Sequence, residues 1–148
     1  MIEVRRITEY AELDAILPLI QKLHEMIESP YPFSAFIGYV VMQLKNPFQG
    51  IWVGYEEGHP IAYAILSIQA AYFELECCLV DAYVEKIALG QALTDEEKVA
   101  VDQVWDLIQM WAKENGCKRM CCITKRDVST VNQKYGWEPK GTQLVKDL

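Results

Sequence analysis

Between Val80 and Lys118 the chain runs too far for a hairpin, and it carries one strongly marked helix. Thr94-Asp95-Glu96-Glu97 has the form of a capping box. In such a box the threonine hydroxyl accepts from the amide three residues on, and the glutamate reaches back to the threonine amide. Val101, Val104, Trp105, Ile108 and Trp111 follow on one face at helical spacing, and Asn115-Gly116 supplies a C-terminal stop. Strand-like stretches flank this helix, residues 75–84 before it and 118–124 after it. Two strands joined by so long a helix lie parallel, through a right-handed crossover.

The remaining elements arrange themselves around that unit. Ile2, Val4 and Arg6 alternate with Glu3 and Arg5 as a first strand. Thr8 is expected to cap a helix bearing Leu13, Ile16, Leu17, Ile20, Leu23, His24 and Ile27. Pro18, inside that run, is expected to kink the helix or mark a fresh start. Ser29-Pro30-Tyr31-Pro32 breaks it, and Ser34 is expected to cap a second helix with Ile37, Val40, Val41 and Leu44 inward, ended by Asn46-Pro47. Residues 51–55 and 61–68 read as strands around a turn at 56–60, and with 75–84 they form an antiparallel meander. A short helix over about 128–134 and a last strand near 141–145 complete one α/β domain, residues 1–148, with a mixed sheet.

Composition narrows the function. Net charge is −7, from 14 basic and 21 acidic residues, which opposes attraction to a nucleic-acid backbone. The cluster of Lys118, Arg119, Lys125 and Arg126 reads first as solvated strand ends, with a local phosphate contact as the alternative. No apolar run reaches the ~18 residues of a membrane span, and the N-terminus has no signal-peptide core, so a cytoplasmic, membrane-free protein is expected. The 5 cysteines include the adjacent pairs Cys77-Cys78 and Cys121-Cys122. Neighbours on a strand point to opposite faces, so neither pair chelates naturally, and no metal site is expected. Neither Cys78 nor Cys122 has a histidine placed by sequence to activate it as a nucleophile.

Three phrases carry a family resemblance. Residues 111–120, Trp-Ala-Lys-Glu-Asn-Gly-Cys-Lys-Arg-Met, read as the end of a long helix and the start of a strand. Residues 131–141, Val-Asn-Gln-Lys-Tyr-Gly-Trp-Glu-Pro-Lys-Gly, match a Tyr-x-Lys-x-Gly-Phe-x-x-x-Gly stretch with Trp137 for the phenylalanine, and residues 80–84, Val-Asp-Ala-Tyr-Val, end a central strand. Together with the element order they resemble the GNAT superfamily of acyl-CoA-dependent N-acyltransferases over nearly the whole chain.

That resemblance implies a sheet whose parallel fourth and fifth strands splay, with acyl-CoA in the wedge as cosubstrate. The backbone of Ala82, Tyr83 and Val84 would hold the pantetheine arm. The family's pyrophosphate loop precedes its third helix, where free amides and the helix end favour an anion. Counting back from Gly116 places it at residues 96–101, which contain no glycine and two carboxylates; the frame 87–92 instead offers Gly90 and Ala92 as a rearranged loop, about nine residues early. Asn132 falls where many family members carry a thiol-protonating tyrosine, and Tyr135 lies on another helical face. Glu76 and Asp81 sit where family bases are found, expected on opposite faces, each alternatively a solvated or hydrogen-bonded strand carboxylate. Tyr83 is a candidate proton donor to the leaving thiolate or a packing tyrosine, and Tyr31, Phe33 and Phe36 either line an acceptor pocket or simply pack. The implied activity is acetyl-CoA-dependent N-acyl transfer to a small-molecule or protein amine. The alternative is an inactive GNAT-fold binding or structural protein that has lost the cofactor loop. Domains of this type often dimerise, so a homodimer through the last strands is a further expectation.

Overall fold

The computed structural model describes residues 1–27, 32–71, 74–122 and 146. The element order is β1 (Ile2–Ile7), α1 (Tyr10–Met26), α2 (Phe33–Gln43), β2 (Gln49–Glu56), β3 (His59–Ala71), β4 (Glu74–Val84), α3 (Glu85–Ala88), α4 (Asp95–Glu114) and β5 (Arg119–Cys122). The strands form one sheet in spatial order β1-β2-β3-β4-β5. The first three pairings are antiparallel, and β4 pairs with β5 in parallel. The expected mixed α/β sheet is therefore present, with α4 as the crossover between its parallel strands. The expected last helix and last strand lie outside the described residues.

Helices cover both faces because alternate strand residues are apolar on both. Under α1 and α2, Ile51, Val53 and Ile65 of the sheet meet Leu13, Ile16, Ile20 and Val40. Each such aliphatic side chain, fully buried, contributes roughly 1.5–3 kcal/mol relative to exposure. Under α4, Trp52, Leu66 and Cys77 meet Ile108 and Trp111. The rings of Trp52 and Trp111 meet edge to face at 5.0 Å, and the Arg6 guanidinium lies over both while donating to the Gln49 carbonyl at 2.8 Å. Toward its N-terminal half, α4 faces Gly54, Ala62, Ala64 and Ala82, and a cavity of about 110 Å³ remains between helix and sheet.

Several local expectations are corrected. Pro18 neither kinks nor restarts α1, which is continuous from Tyr10 to Met26. Asp14, whose carbonyl loses its amide partner to the proline, is exposed, so water can satisfy that carbonyl while the apolar stripe packs behind it. The N-cap of α1 is Glu9, not Thr8, and no side chain caps it; the Glu12 carboxylate accepts instead from the Thr8 amide, at 3.5 Å. Ser34 lies inside α2, whose N-cap is Pro32. The turn after β2 is tighter than expected: Glu57 (φ 49°) and Gly58 (φ 79°) close a two-residue hairpin on the Glu56–His59 pair.

Candidate active site

The site is organised by an irregularity in β4. Ile65 pairs with Asp81 and Leu66 with Leu79, so Val80 has no partner on β3. One extra residue in one strand is a β-bulge, and it reverses the alternation of every residue beyond it. Leu79 belongs to the α4 side, whereas Tyr83 belongs to the α1 side with its partner Tyr63. Glu76 and Asp81 were expected on opposite faces; the bulge puts them on the same one. Pairing with β5 covers Glu76 to Leu79, so within the described residues Asp81 to Val84 have only β3 as a strand neighbour.

Asp81 sits at the centre of a largely buried polar group. Tyr63 donates to its Oδ2 at 2.9 Å, and His24 Nε2 of α1 lies 3.8 Å from the same oxygen. The side chains of His24 and Asp81 are only 11% and 12% exposed, so this pair is sheltered from solvent screening. Burial raises the Asp81 carboxyl above the ordinary aspartate value, against the lowering effects of Tyr63, His24 and the Ala82 amide. Burial, followed by the charge of Asp81, also raises the Tyr63 phenol, which keeps it a neutral donor. The second ring nitrogen of His24, Nδ1, is buried without a hydrogen-bond partner among the described residues. Its ring meets Phe36 at 4.5 Å and Phe33 at 5.9 Å. A paired carboxylate and imidazole with one nitrogen unspent can take up a proton.

The other expected residues are distributed around this centre. Tyr83 is buried and stacks on Tyr63 at 6.2 Å. Glu76 is not a free base: Arg119 donates to it at 2.8 Å, clasping β4 to β5. Phe33 and Phe36 flank His24, while Tyr31 and Asn132 lie outside the described residues. Cys78 faces Cys121 across the parallel pair, their sulfurs 2.6 Å apart, and burial raises both thiols, Cys121 to about 12. Thiols held protonated in this way are poor nucleophiles. No group of three or more metal-ligating side chains occurs among the described residues.

The two loop frames between β4 and α4 fold differently. Residues 96–101 are helical, and the first turn of α4 is closed by its own capping box, Thr94 accepting from the Glu97 amide and Glu97 from the Thr94 amide. The extra residues fold as the one-turn α3 and a following loop. Gly90 (φ 72°) donates to Ile87, and Gln91 to Lys86, so the amide of Gly90 is spent within the turn. Gly90 thus stands in the expected rearranged loop without a free amide of its own. Among the described residues the amides of Ala92 and Leu93 make no hydrogen bond. Ile87 and Leu89 point outward, 46% and 63% exposed, so neither fills the space beside β4.

Sequence reasoning passed over His24 and Tyr63. Each carried a faint signal: a histidine at an inward position of an apolar helical stripe, and a tyrosine on the inner face of a central strand.

No family model matches the sequence, and no curated protein sequence does. Solved structures do resemble it. Aminoglycoside N-acetyltransferase AAC(6')-Iy, holding the bisubstrate analogue CoA-S-monomethyl-acetylneamine, superposes with a TM-score of 0.76 over 100% of this chain and 98% of its own, at 18% identity. A predicted acetyltransferase from Clostridium acetobutylicum, solved with acetyl-CoA, gives 0.73 over 99% and 96%, at 19% identity. Glucosamine-6-phosphate N-acetyltransferase from Arabidopsis thaliana gives 0.68 over 99% and 98%, at 16% identity.

The chain has the GNAT fold.

Within the GNAT fold, the bulged strand and its parallel neighbour are β4 and β5, and the one-turn α3 stands between β4 and α4. No helix among the described residues is long and apolar enough to cross a membrane.

Proposed function

We propose that the protein transfers an acyl group from acyl-CoA, acetyl-CoA being the simplest donor, directly to an amine. The bulge in β4 carries this reading. It takes Val80 out of the ladder with β3 and turns Asp81 toward His24 and Tyr63. Pantetheine would lie along Ala82, Tyr83 and Val84, with the thioester at the bulge. The amine nitrogen attacks the thioester carbonyl carbon, a C–N bond forms, the C–S bond breaks, and the sulfur leaves as thiolate. The ammonium proton passes to the Asp81–His24 pair, and the thiolate takes a proton from Tyr83 or water. An amide from the bulge would steady the carbonyl oxygen as it gains charge. Ala92 and Leu93 supply amides for the pyrophosphate, while Phe33 and Phe36 border the amine's approach. A GNAT-fold neighbour solved with an aminoglycoside-derived bisubstrate analogue supports a small-molecule amine as the acceptor.

The test is release of CoA thiol from acetyl-CoA in the presence of an aminoglycoside, glucosamine 6-phosphate, spermidine or a lysine peptide. At least one amine is expected to stimulate release, and Asp81→Asn to reduce it by about 100-fold. Because burial raises the Asp81 carboxyl, the rate should climb with pH at values above those of an ordinary aspartate. Release that no amine stimulates, or that Asp81→Asn leaves intact, overturns the reading.

One observation favours a second reading, a binding protein without catalysis: the start of α4 carries Asp95, Glu96 and Glu97, which repel a diphosphate. Failure of CoA itself to bind would select it.

A further inference from the structure

The hollow under α4 is not a packing accident confined to one side chain. Its floor crosses three strands on the α4 face: Gly54 pairs with Ala62, and Ala64 with Ala82. Ala100 stands on the helix side. At five neighbouring inward positions the chain thus places a methyl group or nothing, where the same face farther along carries Leu66 and Ile68. Among the described residues lining the space Glu97 is the only charged one, and its carboxylate is already taken by Lys86 and Thr94. A polar ligand would find no free partner there, whereas an apolar one would lose nothing by entering.

Position along β4 identifies the occupant. Leu79, just before the bulge, and Ala82 and Val84, just after it, all line the cavity. The hollow therefore lies beneath the stretch of β4 that, in the reading above, runs from the thioester at the bulge along the pantetheine arm. Asp81 and Tyr83 face the other side of the sheet, toward α1. The two faces of β4 divide the work: proton transfer on the α1 side, apolar volume on the α4 side.

We infer that the cavity receives the acyl chain of the donor, and that the protein is built for acyl groups longer than acetyl. This rests on the transferase reading and names its substrate class. A hollow of roughly 150 Å³ holds benzene, so about 110 Å³ has room for about four carbons beyond the carbonyl. Acetyl would leave it almost empty.

Calorimetric titration of the full chain with CoA, acetyl-CoA, butyryl-CoA and hexanoyl-CoA tests this. Affinity is expected to rise from acetyl to butyryl by up to about fourfold for each methylene buried, and to level off by hexanoyl, whose chain is longer than the cavity holds. Ala64→Val, which fills the floor, is expected to flatten the series. Ala100→Leu, filling from the helix, should do the same and serves if Ala64→Val does not fold. Acetyl-CoA binding as tightly as butyryl- and hexanoyl-CoA overturns the inference and leaves the transferase reading standing. An unchanged slope in both folded variants overturns the assignment of the chain to this cavity. Binding of neither CoA nor any acyl-CoA overturns both.

Discussion

Glu97 shows how one residue can be legible in sequence and still hold a surprise. Its place in a capping box is readable from Thr94 three residues earlier, and the box forms. The partner from outside the helix, Lys86 of α3, donates to the same oxygen at 2.6 Å and is visible only in three dimensions. Lys86 first, then the Thr94 amide and hydroxyl, hold the Glu97 carboxyl at about 2 against an ordinary 4.5. A carboxyl depressed on folding stabilises the native state fully above its unfolded value and loses that contribution as pH falls through the folded one. Glu97→Gln keeps the box but not the charge, so it should melt below wild type at pH 7, with the gap closing between pH 4.5 and about 2. Thermal denaturation across that range checks it; a gap constant with pH would assign the effect to packing. Asp81 was recognisable as a strand carboxylate near the site, but its partners His24 and Tyr63 come from α1 and β3, 57 and 18 positions away in the chain. Nothing in local patterning announces such distant company.

At the scale of elements, what could be read was what local chemistry dictates: the marked helix and its two ends, a hairpin between the second and third strands, and the parallel crossover. What could not be read was where alternation fails. Strict period-two counting separates Glu76 from Asp81, and only pairing with β3 reveals that Val80 is the extra residue. Pro18 misled for the converse reason, since a propensity penalty on the solvent side yields to packing of the stripe behind it. The same logic of contact governs β2. A Cβ on Gly50 would land on the ring of Trp52, which is already fixed between Trp111 and Arg6. Gly50→Ala is therefore expected to cost about 1–3 kcal/mol in denaturant unfolding. A substitution without effect would mean that the tryptophan pair is not rigidly packed.

For the whole molecule, the two covered faces of the sheet are unequal. The α1–α2 side is closed around large aliphatic side chains, whereas the α4 side keeps its hollow. At about 24 cal/mol per Å³, leaving about 110 Å³ unpacked costs at most on the order of 2–3 kcal/mol, and less to the extent that the hollow opens to solvent. Ala64→Val should consequently raise Tm of the ligand-free protein by about 2–4 °C, as scanning calorimetry would show; a lower Tm would mean the space is already filled by relaxation. Such a cost is intelligible if the space serves a ligand, and the ligand proposed for the bulged stretch of β4 is an acyl-CoA. The direct measurement is diffraction from crystals grown with acetyl-CoA. The account predicts pantetheine density alongside Ala82, Tyr83 and Val84, with the thioester carbonyl within hydrogen-bonding distance of the backbone around Val80. Density elsewhere, or an unoccupied edge at saturating ligand, would contradict it.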